Sequence, residues 1–517
     1  MLFDFNEAWP RVTQAQYDVC VCGTGPAGIT VARKLAARGK RVLLLEGGGL
    51  SYSDDSQNHY KGKSIGRPIY LDLIRLRYLG GTSNHWTGLC ALLDPITFEA
   101  KDDHSLPGWP ISREQVLAGL QESMEILDIV GKDLGSSKQP GFMSPLFDRY
   151  AVTFSPPTRF FEKYGAEIRQ SQQIDAFYNA NLVDVVLTDN LAAVKSLRVR
   201  NYRNQISDVV ASHYVLALGG IENARILLIA NHQISAGIGN HSGMLGRCFM
   251  ESINVPIGRF LITDPEFWQA SSDYETARAS ERLPGEISLV PSEALMRQHG
   301  IENGVIHFDA NAPAEWALRA YGRLRVLKEF IHETGCSWPV LTELARHIVD
   351  FNCPGDGILQ SIIEQVPNPN SRVTLVDDLD SFGLRRVQIN WELTDADFKT
   401  IRVLSIEAAK EMARLNRARV QLAPFILDTS LDIPVSGFGH HMGTTRMSAN
   451  PRFGVVDENC RVHGIANLYL GGSSVFPTCG GKNPTMTIVL LALRLGEYLA
   501  STGLSPQVET LSVPAVK

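Results

Sequence analysis

Residues 17–49 read YDVCVCGTGPAGITVARKLAARGKRVLLLEGGG. An apolar run of strand type, YDVCVC, meets a tight glycine turn. A helical stretch follows, and then a second apolar run, RVLLLE. Strand, turn, helix and strand in this order form a βαβ unit, the seed of a parallel sheet. Gly23, Gly25 and Gly28 occupy the GxGxxG spacing. That spacing is a weak signal alone, but here it follows a strand and opens a helix, as a dinucleotide-binding turn must. Gly25 lets the backbone approach a pyrophosphate, and the N–H groups at the helix start, Ala27–Thr30, point at the negative charge. Glu46 closes the second strand, 18 residues after Gly28. An acid there suits a ribose hydroxyl pair and repels a 2′-phosphate.

Outward from this unit, the chain has 517 residues, too long for one ordinary core, so two domains or one large interwoven unit are expected. Hydrophobic content of 44% and charged content of 20% are those of a soluble globular protein. With 49 Lys+Arg against 55 Asp+Glu and no basic stripe, nucleic acid is not an expected partner. Eight scattered cysteines show no CxxC pair or Cys/His ligand spacing, so no metal site is expected. Cys20 and Cys22 fall in the first strand and read as buried free thiols. The N-terminal stretch lacks the basic and apolar regions of a signal peptide. The apolar run MTIVLLALRLGEYLA near the end is interrupted by Arg494 and too short to span a bilayer. A cytoplasmic location without a membrane span is the default expectation.

The stretch ASHYVLALGGIENARILL, residues 211–228, repeats the pattern of buried strand, Gly-Gly turn and helix, as a later strand of the same sheet would. Between about 250 and 430 the pattern changes. SINVPIGRFLI and RRVQINWEL alternate with period 2, as antiparallel strands do. Helices are expected over 312–331 and 396–415, and VPNPNSRVTL marks a turn into a strand. The expected architecture is α/β: a discontinuous Rossmann-like domain over 1–245 and 430–517, with an inserted substrate domain of antiparallel sheet and helices over 246–429.

Three further motifs carry chemistry: GGTSNHWTG at 80–88, HHMGTTRM at 440–447, and NLYLGGSSVFPTCGGKNPTMTIVLLALRLGEYLA at 467–500. In the last, Asn483 is expected as a helix cap and Pro484 as the first helical residue. With the GxGxxG unit and Glu46, these motifs in this order make the chain resemble the glucose–methanol–choline (GMC) oxidoreductases, FAD-dependent alcohol oxidases and dehydrogenases. The resemblance is weak in the middle third. It implies FAD as cofactor and a Rossmann-like FAD-binding domain of the GMC/p-hydroxybenzoate-hydroxylase type. It also implies contacts to the cofactor from Gly81, Thr82, His85, Trp86, Thr87, Gly472, Ser473, Pro484, Thr485 and Met486.

Alcohol oxidation removes a hydroxyl proton and a carbon-bound hydride, and a base that titrates near neutrality suits the first step. The family's His-x-x-Gly-Thr register maps onto His440, implying that this residue is the base and that hydride passes to flavin N5. The family's second position, His or Asn before the last helix, maps onto Asn483, implying a residue that orients the substrate hydroxyl. His441 reads as structural. In pyranose 2-oxidases the histidine at the position of His85 bonds covalently to the flavin, and a contact without a bond is the alternative here. His-Met-Gly and Asn-Pro-Thr resemble the pyranose oxidase and sugar dehydrogenase branches most. They imply a sugar, glycoside or polyol substrate, with oxygen, a quinone or another acceptor taking the electrons. Glu364, Gln365 and Arg372 read as structural, and Trp391 as a strand residue rather than a sugar platform. Two other readings are the large subunit of a membrane-linked sugar dehydrogenase passing electrons to a haem partner, and an FAD-containing hydroxynitrile lyase. The sequence is also compatible with a homo-oligomer.

Overall fold

The computed structural model describes residues 1–99, 105–132, 134, 144–150, 153–264, 286–309 and 356–502. The helix expected over 312–331 lies outside them.

The first unit folds as its sequence indicates. Strand Tyr17–Cys22 leads through the glycine turn into helix Pro26–Ala37, and strand Val42–Leu45 follows. Cys20 and Cys22 are buried free thiols. These strands form the centre of a six-stranded parallel sheet whose spatial order is Leu2–Asp4, Ile174–Tyr178, Val42–Leu45, Tyr17–Cys22, Ala211–Leu216 and Leu468–Leu470. The chain leaves Tyr17–Cys22 toward Val42–Leu45 on one side, and Ala211–Leu216 lies on the other. A crevice therefore opens at the carboxyl ends of these strands, where α/β sheets bind ligands. Gly28 allows the helix to sit on the turn: a Cβ there would stand 1.8 Å from the Gly23 carbonyl oxygen. Helix Thr485–Ser501 packs on helix Pro26–Ala37, with Gly496 against the stem of Lys34.

The second large layer is a seven-stranded antiparallel sheet. Its main path runs Ala418–Leu422, Ile253–Ile262, Asp356–Ile363, Gly304–Asp309, Glu286–Pro291 and Phe147–Tyr150, with Ser436–Gly437 pairing Ile253–Ile262. Two of these strands, Phe147–Tyr150 and Ser436–Gly437, come from outside 246–429. Helix Asp395–Arg414 covers the sheet through a buried face that includes Ile401, Leu404 and Ala408. Thr394 and Asp397 close its start as a capping box. Each sheet has its own apolar cluster, and the carboxyl ends of the parallel strands face the antiparallel sheet across a cavity.

Candidate active site

The cavity has a volume of about 650 Å³, in the range of cofactor and ligand pockets. One end is built from the carboxyl ends of the parallel strands and the loops that follow them: Cys22–Ala27, Leu45–Gly47, Ala217–Glu222 and Gly472–Ser473. At the other end the antiparallel sheet contributes Tyr150, Val305, His307 and Gln360. The loop with Gly81, Thr82, His85, Trp86 and Thr87 forms a side wall. Of the sixteen residues singled out in the sequence, only Gly28 and Met486 do not line the cavity. Gly28 serves the helix packing described above, and Met486 is fully buried in the apolar core beneath the last helix. The resemblance implies a cofactor contact from Met486, whereas the structure puts it one residue past wall-lining Thr485, on the inner face of the helix.

The nucleotide end fits FAD. Gly25 has φ −71°, and a Cβ there would meet nothing within 4 Å, so the backbone faces open space. Helix Pro26–Ala37 begins at this point with its free N–H groups and positive dipole end. Glu46 is buried; its Oε2 accepts from Thr24 N at 3.2 Å and Thr24 Oγ1 at 2.6 Å, and its Oε1 accepts from Gly48 N at 2.9 Å. The carboxylate is thereby fixed at the mouth of the strand. His85 borders the cavity and is exposed; desolvation lowers the pKa of its ring, while a hydrogen bond with the Ile74 backbone opposes the shift.

At the far end, His440 and Asn483 converge from stretches 43 residues apart. Asn483 Nδ2 lies 3.4 Å from His440 Nε2, and Ser252 Oγ lies 2.8 Å from His440 Nδ1. Donation by Asn483 to Nε2 requires the proton on Nδ1, which then goes to Ser252 Oγ. His440 and Asn483 both line the cavity. Burial pushes the His440 pKa down to about 4, below the near-neutral value the sequence suggests, so the ring is neutral at pH 7. The Asn483 side chain is free for this contact because it is not the helix cap. Pro484 is the N-cap and Thr485 the first helical residue, one place later than the sequence suggests. The Ile488 N–H bonds the Pro484 carbonyl, which sets that register.

The two adjacent histidines behave differently. The ring of His441 packs 5.8 Å from that of Phe249, and its backbone carbonyl accepts from Ser473 Oγ at 2.6 Å. Burial and the nearby Arg75 hold its pKa well below the usual histidine value. Trp391 is fully buried and donates to Gln365 Oε1 at 3.0 Å, so it offers no face to a ligand.

Two residues of the site have no motif in the sequence. Glu251 and Ser252 precede the long strand Ile253–Ile262. Glu251 Oε2 accepts from Gly439 N at 2.7 Å, and Oε1 accepts from Ser252 N at 3.2 Å and from the backbone N–H of His440. Burial pushes the Glu251 pKa up to about 8 against the pull of these three N–H groups. An acid before an apolar strand is the one signal the sequence offers, and nothing in it points to residue 440. The link arises because Ile253–Ile262 pairs with Ser436–Gly437.

Residues 367–492 match the family model described as GMC oxidoreductase. The 2-methyl-1,2-propanediol dehydrogenase of Mycolicibacterium austroafricanum is 23% identical over 94% of this chain and 95% of its own length. The 6'''-hydroxyparomomycin C oxidase of Streptomyces lividus is 26% identical over 95% and 93%. Among solved structures, pyridoxine 4-oxidase from Mesorbium loti aligns with a TM-score of 0.54 at 15% identity, covering 93% of this chain and 99% of that one. By these matches the chain is similar to the GMC oxidoreductases, FAD flavoproteins whose relatives here are named as dehydrogenases and oxidases.

Proposed function

We propose that this protein oxidises an alcohol group of a sugar, glycoside or polyol to the carbonyl, with His440 as the base. One observation carries the reading: the lone pair of His440 Nε2 and the amide of Asn483 meet 3.4 Å apart in the cavity that begins at the glycine turn. Bound FAD would supply the hydride acceptor. The chain's own residues do the rest. His440 takes the hydroxyl proton, Asn483 holds the hydroxyl by hydrogen bonding, and Ser252 keeps the proton on Nδ1 so that Nε2 stays basic. Asn483 cannot itself serve as a base at neutral pH. Helix Thr485–Ser501 turns its N-terminus, with Pro484 and Thr485, onto the cavity wall, where its dipole favours negative charge. Relatives named for a diol and an aminoglycoside support the polyol class.

His85 is assigned to the flavin side wall. Acid precipitation tests a bond there: yellow colour kept in the pellet means a tether, and colour in the supernatant means a contact only. The functional reading is tested by anaerobic addition of monosaccharides, glycosides and aminoglycosides to the flavin-loaded protein. Bleaching of the flavin band by a polyol is expected, and a band that no alcohol bleaches would overturn the reading. Repeating the experiment in air with peroxide detection separates oxygen from other acceptors.

A further inference from the structure

The stretch that carries the base also carries an aromatic side chain that the reaction above does not use. Phe438 lines the cavity two residues before His440. Its ring centroid lies 5.9 Å from that of His440, with the two planes inclined by 21°. Its chain neighbours are Gly437 and Gly439, so neither has a side chain to cover it, and Phe438 is 44% exposed. The backbone on either side of the ring is held. Ser436–Gly437 pairs with strand Ile253–Ile262, and Glu251 accepts from the N–H groups of Gly439 and His440. Beside Gly439 stands Ile74, which also lines the cavity: a Cβ on Gly439 would lie 3.5 Å from its Cβ. The Tyr70 carbonyl accepts from the N–H groups of Leu73 and Ile74, and in this turn Tyr70 is 67% and Leu73 70% exposed.

A large apolar side chain that stays partly in water adds little to folding, because the area it removes from water is small. Single exposed apolar residues are ordinary on a protein surface, whereas several together at the edge of a cavity mark a place that a ligand covers. Phe438, Tyr70 and Leu73 lie on two segments that meet at Gly439 and Ile74. The polar groups for a hydroxyl stand at His440 and Asn483, and the apolar surface begins one ring away. That division fits an amphipathic molecule, with its carbinol at the base and a flat apolar group over Phe438. A free sugar at His440 would leave this rim in water.

We propose that Phe438 stacks on the aglycone of an aryl glycoside and thereby makes the protein prefer aryl glycosides to glycosides without a ring. The assignment rests on the alcohol-oxidising reading and deepens it. Stacking moves no proton and leaves His440 and Asn483 in the roles given above.

The test uses the flavin-loaded full chain and anaerobic reduction by the sugar that bleaches fastest, beside its methyl, cyclohexyl and phenyl glycosides as both anomers. The wild type should favour the phenyl over the methyl glycoside by about 2- to 10-fold in kcat/KM, the scale of one aromatic pair. The cyclohexyl glycoside, apolar but not flat, should fall between them. Phe438→Ala should abolish the phenyl preference, and Phe438→Trp should keep it. A wild type with equal kcat/KM on phenyl and methyl glycosides overturns the proposal whatever the variants do. So does a Phe438→Ala protein that loses the same factor on every glycoside, which would make the ring a support for His440 alone. A flavin that free sugars or acyclic polyols bleach, but no glycoside does, overturns it too, since an aglycone would then have no place. If no alcohol bleaches the flavin, the functional reading itself has failed. If bleaching occurs without a phenyl preference, only the role of Phe438 has failed.

Discussion

Glu251 holds His440 by its backbone, while Ser252, the next residue, holds it by its ring. The carboxyl group accepts the N–H groups of Gly439 and His440, and the hydroxyl lies 2.8 Å from Nδ1. Two consecutive residues before one strand thus hold both the backbone and the ring of the proposed base. Each hold is separately testable.

Replacing His440 by Ala should lower the rate of anaerobic flavin reduction by roughly 10²–10⁴, the usual contribution of a positioned base. Flavin content should stay near that of the wild type, since the nucleotide end is built from other residues. Stopped-flow reduction beside a flavin-to-protein ratio checks both. Near-full activity would exclude His440 as the base.

Ser252→Ala removes the acceptor for the Nδ1 proton and frees the ring to take the other tautomer. The reduction rate should fall by about 10-fold or more with KM little changed, on the scale seen when a partner that orients a histidine is removed. A change confined to KM would place Ser252 in substrate binding instead.

The pH dependence should be displaced. His440 is neutral above about pH 4 in the folded protein, so its protonation should not cut the reduction rate between pH 6 and 8. A rate profile with an inflection near 6.5, assigned to His440 by its loss in His440→Asn, would contradict this.

Stability should tilt in two directions with pH. The folded pKa of His440, about 4, lies below the ordinary 6.5, so the unfolded chain takes up a proton first as the medium acidifies. Stability from this group is therefore lost from pH 6.5 down to 4. Glu251 has the opposite sign. Its folded pKa of about 8 exceeds the ordinary 4.5, the folded state holds the extra proton, and stability falls as pH rises from 4.5 to 8. Urea midpoints should show a shallower acid limb in His440→Asn and a shallower alkaline limb in Glu251→Gln. Parallel curves for variant and wild type would negate the assignments.

The glycine turn separates folding from cofactor retention. Gly25→Ala adds a Cβ that meets nothing within 4 Å in the protein, so folding should survive while flavin content drops. Gly28→Ala drives a Cβ to 1.8 Å from the Gly23 carbonyl oxygen, so soluble protein itself should be lost. Flavin absorbance per mole of folded protein distinguishes the two outcomes.

The sequence was legible where a local rule forces a residue. Gly23 and Gly25 of the glycine turn, Glu46 at the end of its strand and the loop around His85 line one cavity. The helix after Asn483 was legible to within one residue. The difference there is that Pro484 itself takes the cap position, which frees the Asn483 amide for His440. Glu251 and Ser252 were not legible as site residues. Their roles depend on strand pairings and on a cavity shared by two sheets, and no periodicity in one stretch reports a contact 188 residues away.

The interleaving of the two sheets has a consequence for how the molecule is made. Strand Phe147–Tyr150 belongs to the antiparallel sheet yet precedes Ile174–Tyr178 of the parallel one, and the parallel sheet gains its last strand only at Leu468–Leu470. The antiparallel sheet waits for Ser436–Gly437 and the parallel sheet for Leu468–Leu470, and such non-local pairing makes folding slow and exposed to aggregation. Nascent chains should stay sensitive to protease until nearly the whole polypeptide has emerged, and capture of the cofactor should be among the final events of biogenesis.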